Sequence, residues 1–136
     1  MKEFISKRLR VWENINRTMQ EFKVLLLGYR NYTALLTQTG TDAPVATVLE
    51  NTLGNITWEY DGVGNYLATS DKLFNNIFYA SAMSDYNLSD NITAIYFGKV
   101  DENLFNLIAL RNDPNGLNFG DTTNNWTAYI EIRVYN

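Results

Sequence analysis

Two different periodicities divide the chain. From Lys2 to about Lys23 there is no Pro or Gly, and Phe4, Ile5, Leu9, Val11, Trp12, Ile15, Met19 and Phe22 fall on one side of a helix. Their arc is roughly 160° wide, broader than the two-positions-in-seven seam of a two-stranded coiled coil. A narrower reading also fits. Ile5, Leu9, Trp12, Asn16 and Met19 follow the 4-3-4-3 spacing of a and d positions, with Asn16 at an a position, where a polar residue can fix register. The stripe therefore serves either association with other chains or packing on the rest of its own domain, and Gly28 is the natural stop.

After Gly28 the period shortens to two. Alternating or apolar runs predict strands near 32–37, 45–50, 55–60, 65–69, 76–82, 92–98, 104–110 and 126–135, separated by turn residues. The last run is the clearest: Trp126, Ala128, Ile130, Ile132 and Val134 alternate with Thr127, Tyr129, Glu131, Arg133 and Tyr135, one buried face and one wetter face. No helical pattern recurs between the runs, which argues against a parallel sheet. The expected fold is mainly β: an antiparallel, jelly-roll-like β-sandwich at residues 29–136, preceded by an amphipathic helix at residues 1–28 that anchors or oligomerises the chain. The stretch TQTGTDAPVATVLENTLGNITWEY, residues 37–60, reads as strands and corners, with Gly40, Asp42 and Pro44 in one turn and Asn51 to Asn55 reversing around Gly54.

Charge reinforces the division. Residues 1–30 hold seven Lys/Arg and three Asp/Glu, a balance of +4; the remainder holds four and twelve, a balance of −8, giving the overall −4. The basic segment has no nucleic-acid-binding motif, and its charges suit the exposed side of a helix. The amino-terminal residues lack the apolar core and cleavage site of a signal peptide, and Val24 to Leu27 is too short to span a bilayer. The expectation is a soluble product of the cytoplasm, for which the six Asn-x-Ser/Thr sequons carry no meaning.

With no Cys and no His in the chain, disulfides, thiolate or imidazole metal sites and a histidine-based triad are all excluded. Carboxylates are the remaining catalytic candidates. Glu59 with Asp61 and Asp101 with Glu102 have the residue types of a glycosidase pair, but solvated strand ends and turns account for them better. No cofactor or metal is expected. The loop from Asp85 to Asp90 and the segment Asp113-Pro114-Asn115-Gly116 carry oxygen ligands without the offsets of a calcium loop, and Gly62-Val63-Gly64 reads as a hairpin turn. The chain has three Trp, nine Tyr and seven Phe. Tyr60, Tyr66, Tyr86 and Tyr129 are candidates for a platform that would stack on a sugar ring, with core or interface packing as the competing role.

Residues 31–69 also carry a resemblance. Tyr32-Thr33-Ala34-Leu35-Leu36-Thr37-Gln38, then Ala43-Pro44-Val45-Ala46-Thr47-Val48-Leu49-Glu50-Asn51-Thr52-Leu53-Gly54, then Trp58 and the Gly64-x-Tyr66 pair are similar to a stretch of virion and fibre-type proteins of tailed bacteriophages, especially those of Bacteroidetes hosts. The resemblance implies a non-enzymatic virion structural protein, such as a head or tail fibre or a capsid decoration protein. It further implies a homotrimer, other virion proteins as partners and the virion as location. The oligomer or anchor interface is then expected at Phe4, Ile5, Leu9, Trp12, Ile15, Asn16, Met19 and Phe22, with no membrane partner. The alternative is a carbohydrate-binding module that recognises host surface polysaccharide.

Overall fold

A computed structural model describes residues 2–76, 78–84, 92–113, 116–119 and 126–135. The helical pattern becomes α1 (Lys2–Leu27), and nine strands follow: β1 (Tyr29–Gln38), β2 (Val45–Asn51), β3 (Thr57–Gly62), β4 (Asn65–Thr69), β5 (Phe78–Ser84), β6 (Ile92–Lys99), β7 (Leu104–Asp113), β8 (Gly116–Phe119) and β9 (Trp126–Tyr135). Gly28 ends the helix as expected: its φ of 71° is open to glycine without steric cost, and its N–H donates to the Val24 carbonyl at 2.9 Å. The very next residue begins β1, so no linker separates helix from sheet.

The strands form two antiparallel sheets, ordered β2-β1-β9-β5 and β3-β4-β7-β6, with β8 paired to β7. β9 lies between β1 and β5, and β7 between β4 and β6, a jelly-roll-like nesting of early and late strands. β5 lies against β6 along one side of the sandwich, leaving β2, β3 and β8 as edges among the described residues. Alternation dictates what goes inside. Trp126, Ala128, Ile130, Ile132 and Val134 are buried, with Tyr32, Ala34 and Leu36 from the neighbouring β1. The second sheet contributes Trp58, Tyr66, Ala68, Phe105, Leu107 and Ala109. Each large apolar side chain removed from water contributes about 1.5–3 kcal/mol.

Phe105 is the centre of the aromatic packing, with ring centroids 5.7 Å from Trp58, 4.9 Å from Phe74 and 5.8 Å from Phe97. Trp126 and Tyr66 join the sheets. Their rings meet edge to face at 5.4 Å, and the indole Nε1 donates to the Tyr66 hydroxyl at 3.2 Å.

The corners are built as the turn residues require. Gln38, buried at the end of β1, donates from Nε2 to the carbonyls of Gly40 and Asp42, closing the 39–44 turn from inside. Asn51 Oδ1 accepts from the N–H groups of Leu53 and Gly54, and its Nδ2 returns a bond to the Gly54 carbonyl at 2.8 Å. Gly54 has a φ of 138°, which strains any residue with a side chain, and a Cβ there would lie 2.8 Å from the Leu73 Cδ1, which would have to turn aside. The 37–60 stretch is strands and corners. Gly62-Val63-Gly64 is likewise a hairpin turn, between β3 and β4, with Gly62 paired to Asn65. The segment at 113–116, considered in the sequence for its oxygen ligands, leads into a strand, β8, which the alternation did not predict because four residues are too few to show a period. Pro114 and Asn115 themselves lie outside the described residues, as does the Asp85 to Asp90 loop.

Two outcomes follow from this core. Tyr66→Phe keeps the ring and strands the buried Trp126 N–H, so it should lower stability by about 1–3 kcal/mol in chemical denaturation. Burial also raises the Tyr32 hydroxyl above its ordinary pKa, with the Trp58 indole opposing in part. A tyrosine with a raised folded-state pKa contributes fully below the unfolded value and loses that contribution as pH climbs through the folded one. Thermal stability should therefore fall above about pH 10, and Tyr32→Phe should flatten that decline.

Candidate functional site

The largest feature that the β-sandwich does not use is α1. Of the stripe residues whose side chains are described, Ile5, Leu9, Val11, Trp12, Ile15, Met19 and Phe22 are all between 43% and 65% exposed, and Leu25 and Leu26 farther along are more so. Asn16 is exposed among them. Of Phe4 only the backbone is described. Packing against the described strands, left open by the sequence, does not cover these residues: of the strands, α1 meets chiefly β1, which follows its carboxyl-terminal end directly. There Lys23 pairs with Glu50 of β2, and Glu50 in turn accepts from Asn31 Nδ2 at 3.0 Å, which orients the last turns of α1 against the sheet edge.

The helix is locally well formed without that contact. Ser6 Oγ donates to the Glu3 carbonyl at 2.9 Å and Thr18 Oγ1 to the Asn14 carbonyl at 2.9 Å, so the hydroxyls compete little with the backbone. An apolar helix face left in water costs about 1.5–3 kcal/mol per large side chain relative to burial. α1 thus presents an apolar surface that the described strands leave exposed.

The four tyrosines chosen as a sugar platform are not brought together. Tyr66 is fully buried, inward-facing on β4 and bonded to Trp126, so it is not ligand-facing. Tyr60 packs edge to face on it at 5.9 Å and belongs to the core margin. Both point inward because β3 and β4 pair Tyr60 with Tyr66 on the side that carries Trp58 and Ala68. Tyr86 lies outside the described residues. Only Tyr129 stands exposed, on the outer face of the other sheet.

That outer face holds a group the sequence did not single out. Strand register sets Thr47, Leu35, Tyr129 and Met83 in one row across β2, β1, β9 and β5, and Tyr79 beside Arg133 four residues along. The Arg133 guanidinium lies 5.0 Å from the Tyr29 ring centroid and 5.6 Å from that of Tyr79. Both its Nε and Nη2 reach Glu131 Oε1 at 2.7 Å. Hydrogen bonds to Glu131 and Tyr135 raise the Arg133 pKa further, so the cation is permanent. Alternation along β9 had placed Tyr129, Glu131 and Arg133 on the wet side. Joining them to Tyr29 and Tyr79 required the register with β1 and β5, strands distant in sequence.

The carboxylates do not converge. Asp61 sits at the β3 irregularity and accepts from Asn65 Nδ2 at 2.8 Å, while Glu59 is exposed one strand position away. Asp101 Oδ1 holds the Asn103 N–H at 2.7 Å and Glu102 lies 3.8 Å from Lys72, both in the turn before β7. Among the described residues there is no group of three or more Asp or Glu placed to hold a metal ion, and no helix is long and apolar enough to cross a membrane.

Of the three tryptophans, Trp58 and Trp126 are buried and Trp12 is 64% exposed. Concentration-dependent burial of α1 should therefore appear as a blue shift and reduced acrylamide quenching of one tryptophan, and Trp12→Phe should abolish the change. No family model, curated protein or solved structure matches the chain.

Proposed function

We propose that the protein is a non-enzymatic structural component of a bacteriophage particle, a fibre or capsid decoration protein that self-associates through α1 and displays the β-sandwich. The observation that carries the reading is the exposed apolar helix joined without a linker to a sandwich that is already filled. Such a helix gives binding by buried surface and needs no reacting group. The charge division supports the same use, a basic helix set against an acidic strand region, and the virion assignment rests on the resemblance over residues 31–69. Residues 1–28 are then the assembly element and residues 29–136 the displayed domain.

A second reading has its own observation. The outer face around Tyr79, Tyr129 and Arg133 presents aromatic rings beside a fixed polar pair, the chemistry that holds a sugar by its apolar face and hydroxyls. A glycan array on the intact protein tests it, with Tyr79→Ala and Tyr129→Ala as the variants that should lose the signal.

For the leading reading, deletion of residues 1–28 should leave a cooperatively folding β-rich domain that is monomeric by light scattering, while the full chain is oligomeric and is recovered in purified particles. A truncated chain that lacks near-ultraviolet circular dichroism would place α1 in the folding core, and one that remains oligomeric would move the contact to the strands.

A further inference from the structure

Val11, Ile15, Thr18, Phe22 and Leu25 succeed one another at intervals of four, three, four and three residues, the same alternation as Ile5, Leu9, Trp12, Asn16 and Met19. The broad stripe of α1 is thus two seams, about 103° apart around the axis of a helix supercoiled at 3.5 residues per turn. Neither is covered: the described apolar members of both are 43% to 80% exposed. We propose that each α1 meets two other copies of α1, one through each seam, in a parallel ring of four or five helices. This rests on the reading of α1 as the self-assembly element and departs from the trimer that the resemblance implies.

The partner of each seam follows from its spacing. A strict alternation of three and four keeps a line of side chains facing another helix, whereas a sheet asks only for a broad stripe. α1 is the sole helix among the described residues, so the helix that the protein itself can supply is α1 of another copy. The angle then sets the number. In a closed ring the directions to the two neighbours diverge by about 60° for three members, 90° for four and 108° for five. A three-helix bundle would leave Val11 and Leu25 in water.

Area points the same way. Five positions of about 60–120 Å² each bury roughly 300–600 Å² in one seam, short of the about 800 Å² per partner of a stable interface. Two seams per chain double the buried surface.

The polar positions are compatible with seam one of each helix meeting seam two of the next. Asn16 and Thr18 are two residues apart, about 3 Å along the axis, so parallel neighbours in register place the Asn16 amide beside the Thr18 hydroxyl. That hydroxyl already donates to Asn14 and retains capacity to accept. Lys23, which continues the first line, is engaged by Glu50, so the seam ends at Met19 and the sandwiches stay outside the ring. Arg8, three residues before Val11, continues the second line towards the amino terminus, where a long side chain reaches water from the mouth of the ring.

The test uses the full-length chain, with light scattering and native mass spectrometry. Trp12→Asp cuts the first seam and Ile15→Asp the second. The proposal expects four or five chains per wild-type particle, each variant alone weakened roughly 100-fold or more in association, and an equimolar mixture of the two that recovers a one-to-one pair, since each variant keeps the seam the other lacks. Leu9→Asp with Phe22→Asp repeats the cross with independent residues, and near-ultraviolet circular dichroism checks that the sandwich is intact. A wild-type trimer, an Ile15→Asp variant that assembles like wild type, a mixture that gives no pair, or single variants that stop as homodimers would each overturn the ring while leaving self-assembly through α1 standing. A wild-type monomer at micromolar concentration would overturn both.

Discussion

The alternation of β9 is the constraint on which the rest of the sandwich depends. It is central in its sheet, flanked by the first strand and by β5, so every second residue must be apolar and every other one tolerant of water. Its inward set is buried along the whole strand, and its first residue, Trp126, carries the bond to Tyr66 that ties the two sheets together. A shift of one residue would turn five apolar side chains outward and bring Glu131 and Arg133 into the interior, a loss no other strand could offset. The pairing of β1 and β5 is set by that register, and with it the neighbours of every group on the outer face.

A filled sandwich changes the meaning of α1. The core draws on both sheets and on Phe74 from a connecting segment, and it has no need of the helix. The stripe consequently stays exposed, outside the core that the strands supply. The ion pair of Lys23 with Glu50 is partly exposed and contributes orientation more than stability. Gly28 makes the transition abrupt, and the helix leaves the sheet in a direction set by one glycine and one ion pair.

The two exposed features differ in chemistry. On the outer face of the four-stranded sheet, Tyr29 and Tyr79 flank a guanidinium that Glu131 holds in place. The rings are thereby held apart by a side chain of the protein's own, and the polar atoms between them are fixed before any ligand arrives. α1 offers the opposite chemistry: a long apolar surface with polar groups already satisfied along its own backbone.

Much of this was written in local pattern. The helix and its stop at Gly28, the two-residue period, the corners at Gly40 and Gly54 and the two faces of β9 all follow from side-chain spacing and from the conformations that only glycine reaches without strain, properties each residue carries wherever it lies. Strand ends moved by a few residues, as at β5, because hydrogen-bonding partners extend or trim a strand after its apolar pattern has ended. What the tertiary structure alone decided is exposure and adjacency. Tyr66 and Tyr129 are equivalent by residue type, yet Tyr66 falls in the inward set of β4, where it meets Trp126 of the opposite sheet, while Tyr129 keeps the outward side that the alternation of β9 gave it. The grouping of Tyr29, Tyr79 and Arg133 came from three strands far apart in the chain, and so did the exposure of the α1 stripe, since a periodic pattern states that a face is apolar and cannot state what covers it.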